Sequence, residues 1–138
     1  TVYGLTSLLP IMRRRGSGHI AVVSSLAGYR GLPTSAAYGA SKAALINMCE
    51  ALRPESDAMG IKLQVITPGF VETPLTDQND FKMPFLVTVD EATDQIMRGL
   101  ASDRFEVSFP RSFALIMKAL RILPDRLFFV VTRRMIKP

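Results

Sequence analysis

Three side chains of this 138-residue sequence can act together on one oxygen atom: Ser25, Tyr38 and Lys42. Tyr38 and Lys42 stand at i and i+4 in "AAYGASKAALINMCEALR", which carries helical patterning, so they share a helix face about a turn apart. An ammonium beside a phenol favours the phenolate and lowers the tyrosine pKa from its reference near 10. Reaching neutrality takes about three units, or roughly 4 kcal/mol, which the lysine and a second nearby positive charge could supply. A tyrosine so tuned exchanges a proton with a substrate oxygen near pH 7, an effect typically worth about 10²- to 10⁴-fold in rate. Ser25 lies thirteen positions before Tyr38, at the end of an apolar run, and adds a neutral donor for the same oxygen. A Y-x-x-x-K pair standing alone would be read as a surface helix pair, so the elements that position it decide the matter.

Those elements alternate. Residues 2–14 have apolar positions at helical spacing, end at "RGSGH", and carry Pro10, which is expected to bend the helix. His19 to Ser24 (HIAVVS) reads as a short strand, and its unbroken apolar run predicts cover on both faces, as for a central strand of a parallel sheet. A long Ala-rich helix is predicted from Ala36 to about Met59, with Thr34 or Ser35 as N-cap and a kink or break at Pro54. Lys62 to Thr67 is a second strand closed by Pro68 and Gly69, and residues 71–88 are loop. Asp90 to Ala101 is a helix opened by acidic residues, and Phe105 to Phe109 is a third strand before a helical tail. This order predicts an α/β fold with a parallel sheet of about three strands and helices on both faces.

Strand 19–24 delivers Ser25 at its carboxyl end, where ligands of open α/β sheets bind. Gly28, Gly31 and Pro33 let the loop turn back so that the next helix starts above the same edge. A first strand that reads as central but lacks an upstream neighbour predicts the C-terminal part of a larger α/β domain. The other reading is a small domain whose edge is covered by a partner or by the tail. Residues 1–110 would form the sheet part and 111–138 a basic, apolar helical tail of the same domain.

Composition narrows the class. At 48% hydrophobic residues the chain can build a core, and it has neither a membrane-length apolar run nor a secretory-type start, so a cytoplasmic protein is the default expectation. The net charge of +5 belongs to the tail: from Arg111 onward seven Lys or Arg face Asp125 alone, whereas residues 1–110 carry ten against eleven acids. Nucleic acid is therefore not the expected partner. Cys49, the sole cysteine, reads as packing, and neither a disulfide within the chain nor a metal site is expected. His19 reads as structural.

"SSLAG" followed by "YGASK", together with "GSGHIAVVSS" and "VITPGFVETPL", resembles the short-chain dehydrogenase/reductase family across most of residues 10–75. The resemblance implies a Rossmann-type sheet and hydride transfer between a nicotinamide cofactor, NAD or NADP, and an alcohol or carbonyl substrate. Matched position by position, it implies that Tyr38 is the acid/base and Ser25 the hydrogen-bond donor to the reacting oxygen. Lys42 is implied as the residue that lowers the tyrosine pKa and holds the nicotinamide ribose. Pro68 and Gly69 match the family's "PG", where a missing Cβ admits the nicotinamide, and Val71 and Thr73 match positions that contact its carboxamide. Ser24 and Ser41 are expected to orient Ser25 and to cap or pack the helix. Phe81, Met83, Pro84 and Phe85 fall in the segment that forms a substrate lid in similar enzymes, and their apolar character suggests a lipophilic substrate.

The departures are equally specific. The family's "TGxxxGxG" turn, its selector for the adenosine ribose and its "NNAG" strand are absent from this sequence, and its catalytic asparagine would fall just upstream of Thr1. The alternative to an oxidoreductase is accordingly a truncated chain without independent activity, acting as a dimerising or membrane-peripheral piece. Gly39, Ala40, Ala43 and Ala44 would let the long helix pack closely on a partner's, as in homo-oligomers of similar enzymes. For the tail, the plainer expectation is a helix packed on the sheet or on another subunit. The second is a basic amphipathic segment on an anionic membrane or over a lipophilic cleft.

Overall fold

The computed structural model describes residues 1–74, 76 and 83–136. Helix α1 (Val2–Arg15) leads into strand β1 (Gly18–Val23), a single 3₁₀ turn (Leu26–Gly28) and the long helix α2 (Ala36–Ala58). Strand β2 (Ile61–Pro68), helix α3 (Val89–Leu100) and strand β3 (Glu106–Phe109) follow, and helices α4 (Arg111–Ile122) and α5 (Asp125–Arg133) complete the order. The strands form a parallel sheet in the order β1-β2-β3, with Ile20 opposite Leu63, Val22 opposite Val65 and Ile66 opposite Val107.

The side-chain period of two along β2 divides the core. Ile61, Leu63 and Val65 face a cluster with Leu5 of α1, Ile20 and Val22 of β1, Ile46 and Cys49 of α2, and Ala114 and Met117 of α4. Ile66 faces the other way, into a smaller cluster with Ala92, Val107 and Phe109 on the α3 side. On that second face the fully buried Gln64 takes the place of an apolar residue. Its amide nitrogen lies within hydrogen-bond reach of the carbonyls of Gly99, Ser102 and Arg104, and its Oε1 accepts from His19 Nε2 at 2.7 Å. His19 thus does structural work.

Among the described residues β2 pairs on both sides and β1 with β2 alone, with Ile20 and Val22 buried and Ala21 and Val23 exposed. Two local expectations need correction. Pro54 does not divide α2, which runs unbroken over 23 residues. Both Pro54 and Glu50, one turn earlier, lie on the solvent side, where water can take the carbonyl that a proline leaves without a partner. Ser35 is the N-cap of α2 but makes no side-chain cap bond. α3 starts one residue earlier than its acidic residues suggest, at a reciprocal capping box in which Glu91 N–H donates to Thr88 Oγ1 and Thr88 N–H donates to Glu91.

Candidate active site

The carboxyl ends of β1 and β2 and the first turns of α2 meet at one corner. Ser24 Oγ donates to the Lys42 carbonyl at 2.8 Å, tying the end of β1 to α2. The contact is close because Gly28 has no side chain: a Cβ there would lie 2.8 Å from the Lys42 carbonyl carbon and 2.9 Å from Ala43 N. Ser25 is buried, extended, and the N-cap of the 3₁₀ turn; its Oγ accepts from Ala27 N–H at 3.2 Å and donates to Pro68 O at 3.3 Å. Pro68 ends β2, so the serine bridges the two strand ends.

Tyr38 and Lys42 project from the adjoining turns of α2. The Lys42 Nζ lies 5.6 Å from the centroid of the Tyr38 ring and donates a long, 3.5 Å bond to Val23 O. Tyr38 is 51% exposed. Ser41 makes only a local bond to Tyr38 O.

The Pro68–Thr73 segment is held by its own neighbours. Gly69 N–H donates to Phe109 O at 2.7 Å, and a Cβ at Gly69 would meet Phe113 at 2.9 Å and Pro110 at 3.2 Å. The chain's own packing therefore requires this glycine. Val71 forms a bridge with Val87, and Thr73 closes a tight turn through Thr76, whose Oγ1 accepts from Thr73 N–H and donates to Val71 O. Phe85, at φ 61°, stacks on Phe113, which stacks in turn on Phe70, with centroids 5.6 and 5.7 Å apart. Of the other lid positions Met83 is half-buried, while Phe81 lies outside the described residues. Gly39 does not face outward from α2: a Cβ there would meet Ala27 O at 3.2 Å, inside the same loop.

Two supports went unread in the sequence. Tyr29, 6% exposed, bonds to Glu106 Oε1 and to Thr67 Oγ1, and Glu106 Oε2 accepts from Lys118 Nζ at 2.5 Å. Burial first, and then the neighbouring carboxylate, push the Tyr29 phenol well above its ordinary value. Arg30 caps α4 by donating to the carbonyls of Leu120 and Leu123, pairs with Asp125 at 2.5 Å, and lies 4.0 Å over the Phe128 ring. The available signal was Glu106, the lone charged residue in the strand "FEVSF". Among the described residues no cluster of His, Cys, Asp or Glu could hold a metal ion.

A family model described as short chain dehydrogenase matches residues 1–83. The chain belongs to that family. An uncharacterized oxidoreductase of Myxococcus xanthus (strain DK1622) is 42% identical over 131 residues, covering 95% of this chain and 52% of the relative. Estradiol 17-beta-dehydrogenase 11 of Homo sapiens is 29% identical, covering 93% of this chain and 44% of the relative. A short chain dehydrogenase from Burkholderia cenocepacia J2315, solved in complex with NADP, superposes with a TM-score of 0.78 at 23% identity over 93% of this chain and 54% of that one. A short-chain dehydrogenase from Sphingobium yanoikuyae in complex with NADPH gives 0.69 at 25% identity over 80% of this chain and 44% of that one. The chain thus has the parallel-sheet fold of short-chain dehydrogenases and spans about half the length of the relatives it matches.

Proposed function

We propose that the protein carrying these residues transfers a hydride between a nicotinamide dinucleotide, NAD or NADP, and an alcohol or carbonyl carbon, and that Ser25, Tyr38 and Lys42 are its reactive residues. One observation carries the reading: in a chain of this family, the Ser24–Lys42 bond and the Gly28 contact hold the serine-bearing strand end against the helix that bears Tyr38 and Lys42. The donor set fits the nicotinamide-riboside end of such a cofactor. Tyr38 is half exposed, and the lysine ammonium lies beside its ring at the carboxyl edge of the sheet.

When bound, the cofactor supplies or accepts the hydride. Tyr38 Oη gives a proton to the nascent alkoxide in reduction and takes one from the alcohol in oxidation. Lys42 holds its ammonium beside the Tyr38 ring, within reach of the nicotinamide ribose in this proposal. The Ser25 hydroxyl donates to the same oxygen once it turns from Pro68 O, a bond at the long end of the range and weak for that reason. Val71 and Thr73, next to Pro68 and Gly69, are the proposed neighbours of the nicotinamide carboxamide.

We further assign a lipophilic substrate. The Phe70–Phe113–Phe85 stack beside the Pro68–Gly69 segment supports this assignment, as does the name of the estradiol dehydrogenase among the relatives. Homo-oligomer formation through the exposed Ala40 and Ala44 of α2 is part of the same proposal. Titration with NADH and NADPH, of the chain and of a version extended to the length of its relatives, tests the reading. Binding and carbonyl reduction by the extended protein are expected. Absence of both in the extended protein sinks the oxidoreductase reading, and their presence in it alone makes these 138 residues catalytically incompetent by themselves.

A further inference from the structure

Helix α4 carries apolar residues on both sides. Ala114 and Met117 are buried in the core, with Phe113 and Leu120 half-buried beside them. At 100° per residue Leu115, Ala119 and Ile122 fall on the opposite side, and Leu115 and Ile122 are 68% and 83% exposed. The outer face of an ordinary surface helix is polar. α5 repeats the arrangement: Phe128 and Thr132 point inward, whereas Leu127 and Val130 are exposed, with Met135 and Ile136 beyond the helix end.

The charge around these faces is of one sign. The only acid in residues 111–138, Asp125, is bound to Arg30. Lys118 and Arg121 pair with Glu106 and Glu50, but among the described residues no ion pair is formed by Arg111, Arg126, Arg133 or Arg134. A second copy is a poor occupant, because a two-fold contact of this face with itself sets arginine against arginine with no carboxylate to answer. A layer that is apolar within and anionic at its boundary satisfies both sets of side chains. None of the described helices is both long and apolar enough to cross a membrane.

We propose that the outer faces of α4 and α5 dock on an anionic lipid surface, with Leu115, Ile122 and Val130 entering the headgroup boundary and Arg126, Arg133 and Arg134 meeting lipid phosphates. This contact is independent of the hydride-transfer reading. It would place a site for lipophilic substrates beside the phase in which they dissolve.

The test is flotation of the full chain with vesicles of phosphatidylcholine alone or mixed with phosphatidylserine. Binding to the mixed vesicles only, released by added salt, is expected. Replacing Arg126, Arg133 and Arg134 together by Gln should lower partition roughly a hundredfold, since each basic residue near such a surface is worth about fivefold. Leu115→Ser with Ile122→Ser should lower it at least about tenfold. The substituted side chains are exposed, so unchanged circular dichroism and melting temperature are expected and serve as the folding control. Binding that ignores lipid charge, no binding to either vesicle, or a solution dimer that the Leu115→Ser/Ile122→Ser variant dissolves while vesicles are ignored would overturn the proposal.

Discussion

Among the described residues two tyrosine–lysine pairs have nearly equal separation but differ in burial and in charged neighbours. Lys42 Nζ lies 5.6 Å from the Tyr38 ring centroid and Lys118 Nζ lies 5.9 Å from that of Tyr29. Tyr38 is half exposed, whereas Tyr29 is buried with Glu106 between it and its lysine. The carboxylate reverses the electrostatics, because it neutralises the ammonium and takes the phenolic proton as a hydrogen bond. Tyr29 is thereby held as a permanent donor, suited to joining the loop after Ser25 to β2 and β3. Tyr38 stays half exposed and keeps a cationic neighbour. Proximity of a lysine does not make a tyrosine an acid/base; burial and the third charged group decide its role.

The largest expected effect tests this contrast directly. In a version extended to the length of its relatives, Tyr38→Phe should lower carbonyl reduction by about 10²- to 10⁴-fold with cofactor affinity largely kept. Tyr29→Phe should leave turnover within a few-fold and instead cost about 1–2 kcal/mol in urea unfolding. Near-normal turnover by Tyr38→Phe would end the assignment. The lysines divide in the same manner: Lys42→Met should damage both cofactor binding and turnover. Lys118→Met should cost stability by less than about 1 kcal/mol, because its side chain is half exposed.

Gly28→Ala probes the joint between the two regions. Its Cβ would press on the backbone of α2 at Lys42 and Ala43, so a loss of about 1–3 kcal/mol is expected together with a lowered turnover, both read on the same preparation. A fully stable and active Gly28→Ala variant would show that the helix is free to shift without cost.

Alkaline titration separates the phenols more gently. The folded-state pKa of Tyr29 is raised, so the native state holds this proton more tightly than the unfolded chain does. The resulting stability is complete below the ordinary tyrosine pKa of about 10 and is lost as pH rises beyond it. Urea unfolding at increasing alkaline pH should show that decline, and Tyr29→Phe should flatten it; equal slopes would contradict the buried-donor role. Smallest in effect is Cys49, fully buried, whose thiol burial pushes up to about 11. A thiol reagent at neutral pH should modify it only on unfolding.

How much of this was legible differs between the two pairs. Tyr38 and Lys42 are four apart on one helix, and Ser25 follows the preceding strand, so local periodicity and the strand-end rule suffice to single them out. The helix and strand bounds are likewise local, set by Gly16, Gly60 and the Thr88–Glu91 box, and they came within about two residues of expectation. Tyr29 lies in a loop and Thr67, Glu106 and Lys118 in three separate elements, and nothing in their spacing announces a contact. The same holds for Gly69, whose close neighbours Phe113 and Pro110 lie more than forty positions away.

Residue type and short-range spacing were thus enough to determine the order of elements and the parallel sheet, and to propose Ser25, Tyr38 and Lys42 as reactive residues. Folding in three dimensions assigned the locking of Tyr29, the Arg30 clamp on the tail and the outward apolar face of α4. The reason is that periodicity shows which side chains share a face of one element. Only packing determines whether that face meets protein or solvent, and which distant charge is brought against it.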